Sequence, residues 1–331
     1  MSSKGSKKRK IKLVKDRVSA VIPVFNGETY LSSMLESMLD QTYSQIEVIV
    51  VDDGSIDGTV AVAEGYYERF RAKGYDYRIV RAMHRNASAA INCGLPYVTG
   101  EYLIWPDSDD RLEKESVEKR VKFLQKNSQY QCVRSLAYYF DQRTQEIVPA
   151  DESIGELSKE DLFWDILESK TFVCCGCYML KTEKFFEIYP QKHIPEYDVG
   201  QNFQMLLPFM YYYKCPTIPE QLYGVCVRQG SHSRTGLTEV EEKKKYQDYE
   251  DLIDEIVSLC HIEDKESIDR MKYWKISRRY LLAMKYKDVG KLIVALYQIR
   301  QYGKEEFHQA FRDLMWKCIN IWSVQWKKRF Q

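Results

Sequence analysis

Five residues near the N-terminus, Val18-Ser19-Ala20-Val21-Ile22, are apolar but for one serine and mostly β-branched, and the run stops at Pro23 and the Asn26-Gly27 pair. That pattern predicts a buried central strand followed by a sharp loop. Leu31, Met34, Leu35, Met38 and Leu39 then recur at helical spacing, so a helix packing back on a sheet is expected. Glu47-Val48-Ile49-Val50-Val51 predicts a second buried strand ending in Asp52-Asp53-Gly54-Ser55. Strand, helix and strand in this order make a parallel crossover unit. A helix capped by Asp57 or Thr59 and carried by Val60, Ala61, Ala63 and Tyr67 should follow, then a strand at Tyr77–Val80, and a small-residue helix from Asn86 closing on Gly94. Tyr102–Trp105 predicts another strand, with a helix starting near Lys114 or Glu115. The flanks of Cys174-Cys175-Gly176-Cys177, Thr171–Val173 and Tyr178–Leu180, read as a strand. From Thr238 the texture turns helical, with segments near 239–261, 264–285, 288–301 and 304–328.

Composition narrows the function classes. With 331 residues and 44% hydrophobic content the chain can bury a sizeable core, and 49 basic against 48 acidic residues argue against a dedicated nucleic-acid binder. The exception is local. Residues 1–16 are a basic leader, expected to be disordered or to meet an anionic membrane surface. The leader has no apolar core segment and no stretch reaches the ~18 apolar residues of a spanning helix, so a cytoplasmic protein is expected, with peripheral contact at the inner face of the plasma membrane as an option. Nine irregularly spaced cysteines suit reduced thiols, and Cys174–Cys177 reads as buried thiols ahead of a zinc site because no second ligand cluster has zinc spacing.

Two acidic turns carry the candidate chemistry. Adjacent carboxylates at a strand end, Asp52 and Asp53, repel each other and are easier to explain beside a ligand donor or cation. In parallel sheets ligands bind beyond the carboxyl ends of strands, so the Pro23–Glu28 loop would line the same crevice. Asp107-Ser108-Asp109-Asp110 follows the Tyr102–Trp105 strand, and residues two apart on an extended segment point the same way. Asp107 and Asp109 can thus share one hard divalent cation, Mn²⁺ or Mg²⁺, with positions left for phosphate oxygens and water. Read alone, either turn is also an ordinary loop or helix cap.

The succession Val-Ile-Pro-Val-Phe-Asn, Val-Asp-Asp-Gly-Ser-x-Asp-Gly-Thr, Asn-x-x-x-x-x-Asn-x-Gly-Leu and Gly-Glu-Tyr-Leu-Ile-Trp-x-Asp-Ser-Asp-Asp, dense over residues 18–112 and looser to about 235, resembles the inverting family 2 glycosyltransferases of cell-surface polysaccharide synthesis. The resemblance implies a GT-A fold, a Rossmann-like α/β architecture with a mixed, mostly parallel sheet flanked by helices. It implies a glycosyltransferase domain over 17–236, and the helical texture beyond it makes 237–331 an expected α-helical C-terminal region. It further implies a nucleotide-sugar donor, most often a UDP-sugar, bound by Pro23, Phe25, Asn26, Glu28, Asp52, Asp53, Asn86, Asp107 and Ser108. A saccharide or polyprenyl-linked glycan would be the acceptor. Phe25 offers a face for a base, and Asp52 can accept the imide N–H of uracil. Arg228 would pair a phosphate, and His232 or Ser231 would sit near the cation held by Asp107 and Asp109.

Two departures from the family pattern matter. Ala90-Ile91-Asn92 lacks the arginine often found there. Gln201-Asn202 stand where two acids are expected, and an amide cannot take a proton from an acceptor hydroxyl at neutral pH. Three readings stand: Glu196 or Asp198 supplies the carboxylate, which is preferred; Gln201 positions the acceptor beside another base; or the chain is weakly active. The rival classes are a sugar-phosphate nucleotidyltransferase, disfavoured because Pro23–Glu28 is neither Gly-rich nor basic, and a nucleotide-sugar-binding scaffold. The apolar stripe Phe311, Met315, Ile319, Trp322 and Trp326, ending in Lys327-Lys328-Arg329, is expected to pack on the catalytic domain, ahead of lying in a membrane plane or meeting a partner.

Overall fold

A computed structural model describes residues 12–149, 154–228 and 237–315. The chain divides into two compact units, residues 1–235 and 236–331. In chain order the first unit comprises β1 (Val14–Val24), α1 (Leu31–Leu39), β2 (Ile46–Asp52), α2 (Thr59–Glu64), α3 (Tyr67–Lys73), β3 (Asp76–Arg81), α4 (Ala87–Gly94), β4 (Gly100–Ile104), β5 (Arg111–Leu112), α5 (Ser116–Lys126) and β6 (Cys132–Asp141). It continues with β7 (Ile147–Val148), α6 (Phe163–Leu167), β8 (Tyr178–Lys181), α7 (Thr182–Ile188), α8 (Gln201–Tyr212) and β9 (Thr217–Val227). The strands join in the order β3-β2-β1-β4-β8-β6-β9-β5, with β7 on β6. Strands β1 to β4 run parallel, β8 turns antiparallel between β4 and β6, and β6 and β9 are parallel again. This is the mixed, mostly parallel GT-A architecture, with helices around the sheet.

Residues 46–52 of β2 are all buried, as a central strand covered on both faces must be. The register Val24↔Asp52 and Ala20↔Ile104 brings the carboxyl ends of β1, β2 and β4 to one edge. At the opposite end one buried carboxylate ties the three strands: Glu47 accepts from the Ser19 hydroxyl, from the Thr99 backbone N–H at 2.7 Å and hydroxyl at 2.8 Å, and from the Gly100 N–H at 3.0 Å.

Three expectations are corrected. The helix after Asp57 breaks at Gly65 into α2 and α3. Gly94 is not a left-handed helix stop; it lets α4 approach the sheet, since a Cβ there would lie 2.6 Å from Val21 and 2.9 Å from Val51. Thr171–Val173 is irregular, and a short 3₁₀ turn at Cys175–Cys177 precedes β8. The Cys175 and Cys177 thiols are buried, and burial pushes the Cys175 thiol well above its ordinary pKa.

The second unit holds α9 (Glu239–Leu259), α10 (Lys265–Lys285) and α11 (Val289–Tyr302), followed by helical residues 304–315. Thr238 and Glu241 close a capping box on α9. Most of the basic leader, Ser231, His232, and Ile319, Trp322, Trp326 and Lys327–Arg329 lie outside the described residues. Among the described residues no helix is long and apolar enough to cross a membrane.

Candidate active site

The loop after β1 is fastened to the loop after β2 by a set of local bonds. Asn26, in a left-handed conformation at φ 49°, donates its backbone N–H to Ser55 Oγ at 2.8 Å and accepts from Ile56 N–H at 3.0 Å. The Gly27 N–H donates to Thr59 Oγ1 at 2.6 Å, and Glu28 exchanges bonds with Asp57 and Gly58 at 3.2 and 3.1 Å. Asn26 and Glu28 therefore spend these polar groups on shaping the crevice wall. Pro23 and Phe25 stay partly exposed above it.

Asp52 and Asp53 are 5% and 4% exposed at the end of β2. Asp52 accepts the Ser55 N–H at 3.2 Å. Asp53 takes His84 Nδ1 at 2.9 Å and the Arg85 N–H at 3.3 Å, while burial raises its pKa. The His84 ring stacks on Phe25 with centroids 3.8 Å apart. Sequence reasoning missed His84, since a lone histidine after a strand carries no signal.

The acidic turn after β4 forms the other half. Asp107 accepts from Gln201 Nε2 at 3.2 Å, and its backbone N–H donates to the Tyr223 hydroxyl at 3.1 Å. Asp109 pairs with Arg228 at 2.7 Å, and Asp110, 3% exposed, accepts the Cys226 N–H at 2.7 Å. Burial and the neighbouring Asp109 charge raise Asp107 to about 6, and burial with Asp107 raises Asp110 well above the carboxylate range. Tyr30 joins the halves. Its hydroxyl donates to the Phe25 carbonyl at 2.9 Å, its ring lies 4.6 Å under the Arg228 guanidinium, and burial raises its pKa, opposed by the Arg228 charge and aided by those of Asp109 and Asp57. Nothing in its sequence position, one residue before α1, marked it.

These groups suit a hard divalent cation. The turn concentrates carboxylate oxygen, with Arg228 paired to Asp109, and burial together with the neighbouring charges makes Asp107 and Asp110 resist ionising. Among the described residues no set of three or more His, Cys, Asp or Glu is arranged around one metal position. A protein contribution of two carboxylates, Asp107 and Asp109, matches cations that keep water and phosphate ligands.

The region expected to supply the base lies before α8. Glu196 pairs with Arg85 at 2.7 Å and accepts from Asn92 at 3.1 Å, and Asp198 accepts from Asn86 Nδ2 at 3.1 Å. Asn86 also caps α4 through the Ala89 N–H. Both amides at the start of α8 have local reasons to be amides. Gln201 donates to a carboxylate, and Asn202 donates to the Val173 carbonyl at 3.0 Å, where an acid would repel its neighbour.

Residues 19–188 match the family described as Glycosyl transferase family 2. The chain is 28% identical over 239 residues to the glycosyltransferase GlyA of Streptococcus pneumoniae, covering 67% of this chain and 32% of that one. It is 33% identical over 175 residues to the putative glycosyltransferase EpsE of Bacillus subtilis, covering 51% and 58%. It is 31% identical over 177 residues to the putative teichuronic acid biosynthesis glycosyltransferase TuaG of the same species, covering 53% and 66%. The chain thus spans from about a third to just under two thirds of these relatives' lengths. Among solved structures, residues 1–349 of S. aureus TarS in complex with UDP-GlcNAc superimpose with TM-score 0.64 at 18% identity, over 89% of this chain and 87% of that one. The mannosyltransferase PcManGT from Pyrobaculum calidifontis, in complex with GDP-Man and Mn²⁺, gives 0.55 at 17% identity, over 93% and 83%.

Proposed function

We propose, from the premise that this chain belongs to glycosyl transferase family 2, that it transfers a sugar with inversion from a UDP-sugar to an acceptor hydroxyl on a saccharide or polyprenyl-linked glycan of a cell-surface polymer. The observation that carries the reading is the juxtaposition, through Tyr30, of the Phe25 loop and the Asp107–Asp109 turn at one sheet edge. A nucleoside diphosphate needs an aromatic face and acceptors at one end and cation-binding carboxylates at the other. Residues 17–236 serve as the catalytic domain, followed by a region whose described residues, 237–315, are mostly helical.

In this reading Phe25 and Asp52 hold the base, Pro23 and Asp53 shape its pocket, and Asp107 and Asp109 hold Mn²⁺ or Mg²⁺ beside Ser108. The cation, when bound, supplies Lewis-acid and electrostatic stabilisation of the departing diphosphate. Arg228, already charged beside Asp109, is placed to pair with a phosphate oxygen, and His232 belongs to the same segment. The acceptor oxygen forms its bond to the anomeric carbon as the bond from that carbon to the diphosphate oxygen breaks, the electron pair leaving with UDP. The hydroxyl proton passes to a carboxylate. Glu196 is committed to the Arg85 cation at 2.7 Å, so in this reading Asp198 is the base and Gln201 an orienting group. UDP release from a panel of UDP-sugars with Mn²⁺ tests this: Asp198→Asn is expected to cut turnover at least 100-fold while UDP affinity stays within threefold. Gln201 and Asn202 favour one alternative, a nucleotide-sugar-binding scaffold, and binding across the panel without turnover in the wild-type chain would select it.

A further inference from the structure

Charge and apolar exposure are distributed unevenly over the second unit. Residues 239–269 carry twelve acidic and four basic side chains, whereas residues 270–315 carry eleven basic and four acidic ones. Part of that contrast is consumed internally, where Lys275 pairs with Asp254 at 2.5 Å, and Arg279 and Lys285 pair with Glu250 and Glu242 of α9. Lys287, Lys291, Arg300 and Lys304 are exposed at and beyond the two ends of α11, where Lys291 pairs with Asp288 at 3.7 Å and Glu305 and Glu306 follow Lys304, leaving a small basic excess. Along α11 itself Val289, Ile293, Val294 and Tyr297 are 65%, 61%, 56% and 62% exposed, and their spacing puts them on one face. The opposite face is spent on the core, with Ala295 and Ile299 buried against Tyr280.

We propose that this face of α11 is a docking surface for an anionic lipid bilayer. An in-plane membrane helix has this constitution: aliphatic and tyrosyl side chains entering the acyl boundary, flanked by lysine and arginine at headgroup level. A second copy of the chain is the competing occupant, and the light-scattering measurement below separates it from a bilayer. Nucleic acid would use the cations but gain nothing from the aliphatic strip. The inference does not depend on the reading of the nucleotide site, and it concerns residues other than the terminal stripe.

The test is flotation of the full chain with vesicles of phosphatidylcholine alone or with 30% phosphatidylglycerol, at about 0.05 and 0.5 M NaCl, a span over which screening is strong. The wild type is expected to float with the anionic vesicles at low salt, at least tenfold more weakly with neutral vesicles, and more weakly at high salt. Ile293→Glu with Tyr297→Glu should lower anionic-vesicle binding at least tenfold while leaving melting temperature and UDP affinity unchanged, both positions being solvent-exposed. Equal binding by the double variant, equal binding to both vesicle types, or no flotation overturns the proposal. So does a dimer in light scattering that the same substitutions dissociate, which assigns the face to a second copy.

Discussion

Glu47→Ala isolates what holds the strands in register. Glu47 is 6% exposed and accepts from the Ser19 hydroxyl, both donors of Thr99 and the Gly100 N–H. Truncation leaves the Thr99 N–H and two hydroxyls without their acceptor, while Gly100 N–H keeps Ser19 Oγ at 2.8 Å. A stranded buried donor costs about 1–3 kcal/mol, so with water reaching the partly exposed Thr99 the total is about 3–5 kcal/mol. For a unit of this size that lowers the melting temperature by roughly 10 °C. Glu47→Gln keeps one acceptor oxygen, and its amide can donate to the Thr99 hydroxyl, so about a third of the loss is expected. Thermal unfolding followed by circular dichroism reads both variants, and calorimetry at 20 °C should find UDP affinity within threefold for the glutamine form. An alanine variant within about 1 kcal/mol of wild type would refute the reasoning, because the strand ends would then be held by the ladders alone.

Other expectations follow from particular contacts. Gly176→Ala would put a Cβ 1.9 Å from the Tyr223 ring, and Tyr223 is fully buried and meets the Asp107 N–H. Overpacking there should cost about 3 kcal/mol in a denaturant melt and weaken Mn²⁺-dependent UDP binding as well. Gln201→Glu, which adds a carboxylate 3.2 Å from Asp107, should lower apo stability in chelator by about 1–2 kcal/mol and should not raise turnover. An increase in turnover would show that position 201 is the base position after all. Arg228→Ala removes the cation 2.7 Å from Asp109 and should weaken UDP binding about tenfold, equivalent to ~1.4 kcal/mol, in isothermal titration.

The sheet edge was legible because Val18–Ile22 and Glu47–Val51 are short, β-branched apolar runs bounded by turn formers, Pro23 with Asn26-Gly27 after the first and Asp52-Asp53-Gly54 after the second. Periodicity sees composition along the chain but not approach between elements. It therefore missed Gly65 as a break between α2 and α3, and it took Gly94 for a stop when its missing Cβ serves helix-to-sheet contact. The β-branched Thr171 and Val173 suggested a strand, yet tertiary context left them irregular. At the site, the aspartates were visible and their partners were not. Arg85 and Glu196 are 111 positions apart, and Arg228 and Asp109 are 119 apart. Tyr30 looks like any residue entering a helix until its hydroxyl is seen on Phe25.

The central claim is that the Phe25 loop after β1 and the Asp107–Asp109 turn after β4 serve one nucleotide, and calorimetric titration of UDP into wild type, Phe25→Ala and Asp109→Ala, each with Mn²⁺ and with chelator, tests it most directly. The account predicts Mn²⁺-enhanced binding in the wild type, enhancement lost in Asp109→Ala, and affinity reduced at least tenfold with or without metal in Phe25→Ala. Unchanged Mn²⁺-dependent affinity in Asp109→Ala would contradict it.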